Sequence, residues 1–386
     1  MVVRSLFILI FLPLYLFATN GSNLIGYGSK SRGMGGIGIG LGHGAESGLA
    51  NGALITSVAK NEISFGGTVF MPDVSFDNGT GAGAKKSQAD MSIIPEVSLA
   101  SKVSEEFFVG VGMWGTAGMG VDYRRSSDNF SMVTNLQLMQ FGVPLAVRYG
   151  DFSFALTPLI QYGSLDISYN ASGTNQGEGV AQDYRFGYNL GVAYANEGFV
   201  LGGVYKSQID MQYSGQLSTA MAGFGITYPN DTLSTPAEIG IGASYIYANN
   251  IFALDWKQIR YGDAKGFKDF GWEHQNVFIV GYSYKEKNYT LRLGYNYAKS
   301  PIPIRGLGYT VENTMNLLGF PAIVESHIGA GGSYRFNETV SFDLAYVHAI
   351  EAKQNARVMN PDNVTTRIIE TKHSQSSLSL QLNFLF

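Results

Sequence analysis

The chain has 386 residues, 45% of them hydrophobic and only 15% charged, with a formal net charge of −4 and no cysteine. That length suits one large domain, the negative balance argues against nucleic acid as a partner, and disulfides are excluded. Charge falls below the quarter of residues usual in soluble domains, yet after the first 18 residues no run approaches the roughly 20 apolar residues of a spanning helix.

The N-terminus reads MVVRSLFILIFLPLYLFA. Arg4 supplies a positive start, Ser5 to Phe17 an apolar stretch, and Ala18 a small residue at a cleavage point. Residues 1–18 are therefore expected to be an export signal, with a mature chain starting near Thr19. Next comes a glycine-dense segment, GYGSKSRGMGGIGIGLGHGAESGLANGALI, from Gly26 to Ile55. It lacks strand alternation, and its glycines permit compact irregular backbone in a confined space. Residues 19–59 are expected to form a hatch inside a barrel of residues 60–386. Gly33 to Gly38 matches G-x-G-x-x-G, but no preceding strand, following helix or acidic residue about 20 positions on supports a dinucleotide site.

From residue 62 onward, alternating runs rich in Val, Ile, Phe and Tyr predict strands over roughly 62–76, 90–102, 106–123, 134–149, 152–169, 184–196, 199–215, 236–248, 251–261, 276–285, 289–298, 327–335, 340–348 and 377–386. Five tight turns separate pairs of these runs, at 149–151, 196–198, 248–250, 286–288 and 336–338. Longer polar stretches lie between the hairpins, at 77–89, 124–133, 170–183, 217–235, 262–275, 298–326 and 349–376. This alternation of short and long connections is the asymmetry of an outer-membrane barrel, with short periplasmic turns and long outer loops. The fold class is an all-β transmembrane antiparallel barrel of about fourteen strands. In the last strand Leu378, Leu380, Leu382, Phe384 and Phe386 share the face expected to meet lipid. A closed barrel leaves no sheet edge to pair, so a monomer is expected.

The five histidines (His43, His274, His327, His348 and His373) show no motif spacing, and no nucleophile elbow is present. No catalytic residue, cofactor site or metal site is expected, and the chain is not read as an enzyme. Apolar patches inside otherwise polar outer loops, Leu317, Leu318 and Phe320 in one and Phe224 in another, are candidates for ligand capture or for loop packing. Strand parity turns Arg292 and Lys257 into the lumen, Lys257 beside Asp255, because a charge facing lipid is costly.

Several segments together bring a family into view. They are Ala45-Glu46-Ser47-Gly48-Leu49-Ala50-Asn51-Gly52-Ala53-Leu54, Phe70-Met71-Pro72-Asp73-Val74, the hairpin from Phe186-Gly187-Tyr188 to Gln208-Ile209, and Leu291-Arg292-Leu293-Gly294-Tyr295 followed by Lys299-Ser300-Pro301. In this order over the whole mature chain, they resemble the outer-membrane long-chain fatty acid transporters of the FadL and toluene-uptake type. The resemblance implies a fourteen-stranded barrel and a hatch whose Asn-Pro-Ala motif is matched by Asn51, Gly52 and Ala53, with Gly52 where the family has proline. It also implies diffusive uptake of long-chain fatty acids or aromatic hydrocarbons. Exit would be sideways into the membrane through a kinked third strand, here matched by Gly115, Gly118 and Gly120. Glycine within a strand independently permits such a break. Arg292 and Lys257 become candidate contacts for a ligand carboxylate. The implied surroundings are outer-membrane lipid and lipopolysaccharide, with the barrel-assembly machinery engaged by the C-terminal Phe386, in a Gram-negative cell. A general porin is the alternative among barrels.

Overall fold

The computed structural model describes residues 19–171, 173–177, 179–228 and 230–386. The expected export signal, 1–18, lies outside the described residues. Fourteen wall strands follow one another: β1 (Asn61–Asp77), β2 (Ser92–Lys102), β3 (Phe107–Asp122), β4 (Val133–Gly142 continued by Leu145–Tyr149), β5 (Phe152–Ala171), β6 (Ala181–Asn196), β7 (Phe199–Lys206), β8 (Glu238–Tyr247), β9 (Asn250–Ile259), β10 (Gln275–Lys285), β11 (Tyr289–Ala298), β12 (Ser326–Arg335), β13 (Val340–Met359) and β14 (Thr366–Leu385). Each pairs antiparallel with the next, and β14 returns to β1 in register from Glu62↔Leu385 to Asp77↔Glu370, closing the barrel.

The polarity of the wall is inverted relative to a soluble protein. Phe252, Leu254, Leu291, Leu293, Leu380 and Phe384 point outward and are exposed, whereas Asp255, Lys257, Asn296, Gln381 and Asn383 on the alternate positions are buried. An apolar outside over a polar inside is stable only against lipid. This chain is an outer-membrane β-barrel.

The tight turns lie where expected, and several use positive φ, at Gly150, Glu197, Gly198 and Ala248. Three expectations are corrected. The stretch 349–376 is largely strand: β13 and β14 continue as a ribbon to Met359↔Thr366, past a bulge between Ala349 and Ala352. The outward face of that ribbon is polar because it projects beyond the lipid, while its inward face packs Ala356, Val358 and Ile369 into the loop core. The strand read over 134–149 is interrupted at Val143-Pro144, since proline cannot donate to the ladder. The run 199–215 leaves the wall after Lys206, and Ile209–Gln212 instead pairs with Thr232–Thr235 in a separate two-stranded ribbon. Over the outer mouth, Tyr261, Phe267 and Trp272 stack on one another in a buried cluster.

Candidate functional site: a window in the wall and the segment behind it

Residues 19–58 precede β1 and pass through the lumen, almost wholly buried. Polar groups from strands all around the wall hold their main chain. The Asp255 carboxylate on β9 accepts the N–H groups of Gly38, Ile39 and Gly40 at 2.8, 2.8 and 3.0 Å. On β11, Asn296 donates to the Gly35 carbonyl at 3.0 Å. Arg32 pairs with Glu96 of β2 at 2.8 Å, and Glu96 also accepts the Gly28 N–H. Lys30 reaches Glu46 at 3.0 Å and Glu62 of β1 at 3.3 Å. Burial pushes the His43 imidazole down to about 3, so it stays neutral, and its Nε2 donates to the Ile37 carbonyl at 2.9 Å.

The motif Asn51-Gly52-Ala53 sits at the wall. The Asn51 amide oxygen accepts the Ala53 N–H at 3.1 Å, and its nitrogen donates to the carbonyls of Ile39 and of Val192 on β6. Asn51 thereby ties two turns of the segment to a strand. A Cβ at Gly52 would lie 2.8 Å from the Thr157 hydroxyl and 3.2 Å from Ala155 Cβ, so a larger residue here would have to displace the wall side chains.

Opposite β9, the wall is incomplete. The β2–β3 ladder runs from Lys102↔Phe108 only as far as Glu96↔Trp114. The next residue of β2 is Pro95, which has no N–H to continue the rungs. On β3 the register slips between Gly115 and Ala117 against β4. Among the described residues, hydrogen bonding between the two sides resumes where the Gln88 N–H reaches the Asp122 carbonyl, 2.8 Å away, and Asp122 N–H reaches Ser87 Oγ. Residues 89–95 and 115–121 therefore frame a window. Its lower sill is Trp114, buried against Gly48 of the lumenal segment. From inside, Leu24 N–H donates to the Thr116 carbonyl and Gly118 N–H to the Ser22 carbonyl, at 3.1 Å each. The segment thus takes the place of the missing strand on the free edge of β3.

A cavity of about 570 Å³ lies at this window. Its lining includes Leu24 of the segment, Phe70, Ile94, Met119, Leu136 and Leu138, and all three predicted glycines, Gly115, Gly118 and Gly120. At its outer end Arg124 is bridged to Asp122 at 2.7 Å.

The other predicted residues lie elsewhere. Arg292 is lumenal, as parity requires, but it donates to Ser333 at 2.6 Å and lines a separate pocket of about 280 Å³ with Lys30, Glu62 and Asp343 near the periplasmic turns. Lys257 is lumenal too, but its partner is Glu238 of β8 at 3.1 Å, shared with Lys206 at 2.9 Å, and not Asp255. Neither cation lines the window cavity. Leu317 and Leu318 are fully buried and serve as the packing core of their loop, and Phe320 packs against the same cluster. Phe224 stacks on Tyr169 with ring centres 5.1 Å apart. Sequence reading missed Glu96, Ile94 and Pro95 as window residues. The Ile-Ile-Pro run was the available signal, since proline inside a strand marks an edge.

No family profile matches the chain. Curated relatives do, among them the Long-chain fatty acid transport protein of Escherichia coli O6:H1, 22% identical over 372 residues covering 78% of this chain and 81% of the relative, and a 47 kDa outer membrane protein of Pasteurella multocida, 22% identical with 79% and 81% covered. Among solved structures, a Pseudomonas aeruginosa FadL homologue superposes with a TM-score of 0.73 at 14% identity, covering 96% of this chain and 99% of that one. The Pseudomonas putida toluene transporter TodX superposes with a TM-score of 0.68 at 17% identity, covering 94% and 99%. The chain resembles the FadL-type outer-membrane proteins in both sequence and fold. At these identities the FadL-type likeness to solved structures establishes the architecture.

Proposed function

We propose that this chain is a passive outer-membrane channel for hydrophobic small molecules, foremost long-chain fatty acids, and that it releases them sideways through the β2–β3 window. The observation that carries the reading is the unpaired interval in the wall, backed by a cavity of about 570 Å³. That volume lies within the 300–1,000 Å³ of ordinary ligand pockets. The mainly apolar lining removes a hydrophobic ligand from water, and no energy source is needed, because transfer into lipid is downhill. The lumenal segment acts as a hatch: withdrawing Ser22–Leu24 from β3 exposes the free edge and opens the path. A plugged lumen argues against a general porin, and the chain works as a transporter, not an enzyme.

A second reading, uptake of uncharged aromatic hydrocarbons, draws on one observation. Among the described residues lining the cavity, the only Lys or Arg is Arg124, already bridged to Asp122. A carboxylate would have to compete with Asp122 for it. The two readings separate in a host lacking its own fatty acid transporter, by comparing uptake of labelled oleate with labelled toluene. Oleate uptake is the expected result; uptake of toluene alone would move the substrate to the aromatic class. The exit route is tested by a staple. A Cβ at Gly115 would lie 3.6 Å from Ile94 Cβ, within disulfide geometry, and the chain has no other cysteine to interfere. In I94C/G115C, oxidation is expected to abolish uptake and reductant to restore it. Unchanged uptake by the oxidised protein would reject lateral exit.

A further inference from the structure

On the outer face of the wall, with the cavity-lining Val74 and His373 turned to the opposite face, the register assembles a row of lysines. Ser75 of β1 pairs with Lys372 of β14 on one side and with Lys86 of the short strand Lys85–Lys86 on the other. Lys372 in turn lies directly opposite Lys353 of β13. All these positions share the outward parity. Lys86, Ser75, Lys372 and Lys353 therefore stand side by side across four neighbouring strands, spaced about 4.8 Å apart.

Like charges directly opposite on one face of a sheet repel. Local carboxylates offset this only in part. Among the described residues, Lys353 pairs with Glu370 at 2.7 Å and Lys86 with Asp73 at 3.1 Å, both in exposed positions, and no ion pair engages Lys372. Asp77 lies in the next row out, opposite Glu370, and Arg357 lies beyond it, opposite Ile368. These carboxylates match the three lysines in number, but among the described residues Lys372 is the lysine of the row that no ion pair engages.

Its height is informative. The outward residues of β1 are apolar up to Met71 and those of β14 up to Leu378, after which they turn polar, while on β13 an exposed Ile350 stands at the bulge before Lys353. The lysine row stands four residues above Met71, roughly 10 Å after allowing for strand tilt. That is where hydrocarbon has ended and headgroups begin. In the outer leaflet of this membrane those headgroups are phosphorylated saccharides. Anionic lipid attracts basic side chains at such a surface, and a phosphate between Lys372 and its neighbours would relieve their repulsion.

We propose that Lys86, Lys372 and Lys353 form a binding site for a phosphate of lipopolysaccharide on the outside of the barrel. The test is binding of purified lipopolysaccharide to the detergent-solubilised full chain at physiological salt. The wild type is compared with K86Q/K353Q/K372Q, and with the single variant K372Q in case the triple variant folds poorly. Heat-modified gel mobility checks that each barrel is closed. Both variants are expected to bind more weakly, the triple by about tenfold or more, and dephosphorylated lipopolysaccharide to bind the wild type as weakly as the intact lipid binds the triple variant. Equal binding of intact lipid by wild type and K372Q would overturn the proposal. So would equal binding of the dephosphorylated lipid, or displacement of the lipid by millimolar inorganic phosphate, which would make the row a site for a free anion.

Discussion

Two stretches of the same wall behave differently. From β8 to β12 the rungs are continuous, for example from Asn250↔Tyr284 to Ile259↔Gln275 between β9 and β10, and a buried carboxylate, Asp255, reaches inward to hold the lumenal segment. Between β2 and β3 the rungs stop at Trp114, and the segment itself supplies the missing hydrogen bonds. One wall anchors the segment and the other depends on it. The contrast shows how a closed barrel can hold a gap without exposing orphaned backbone: the unpaired edge is satisfied from inside by Ser22 and Leu24 of the lumenal segment.

The sharpest way to break this contrast is at the anchoring wall. Asp255→Ala removes the acceptor of three backbone N–H groups, each bond to a charged group being worth about 1.5 kcal/mol or more. The expected result is a loss of about 5 kcal/mol in local stability of residues 36–42, read as faster hydrogen exchange there. The barrel should still migrate as folded on a gel, and ion conductance in planar bilayers should rise. Next in size is the sill of the window. Trp114→Ala empties a buried site packed against Gly48 and should cost about 3 kcal/mol, read as a lower denaturation midpoint. An unchanged midpoint would mean the sill does not bear on the segment. The smallest effect is expected from Pro95→Thr, which restores an N–H at the top of the β2–β3 ladder. One added rung is worth below about 1 kcal/mol, enough to narrow the window. Uptake should fall modestly while the anchoring wall shows unchanged hydrogen exchange; faster uptake would show that Pro95 does not set the edge.

Much of the wall was legible in the sequence, because lipid outside and polar groups inside impose a strict period of two. Strand parity placed Arg292, Lys257 and the Leu378–Phe384 face correctly. It could not choose partners: Lys257 lies diagonal to Glu238, two residues from its partner Ile259, only after β8 and β9 are set in register, and that depends on the turn at Ala248-Asn249. The glycines of β3 marked where a strand could break. The position of the gap needed the facing strand as well, where Pro95 ends the ladder. The long ribbon of β13 and β14 looks like a loop in sequence because, above the lipid, its outward positions such as Lys353, Asn355 and Arg357 lose their apolar character, and the few inward ones, Ala356, Val358 and Ile369, are too sparse to mark a strand. In the outer loops Leu317 and Leu318 were visible as apolar. Whether they faced a ligand or each other depended on how residues 299–325 fold, which periodicity does not encode.

The way Asp255, Asn296, Asn51 and Glu96 grip the lumenal segment bears on the order of assembly. They address carbonyls and N–H groups of a short run of backbone, and they come from β9, β11, the segment itself and β2, which meet around one axis only once β14 has joined β1. Residues 35–40 are gripped by the neighbouring strands β9 and β11 alone, whereas Gly28 and Arg32 are held by β2 across the barrel, so only a closed wall satisfies the whole segment at once.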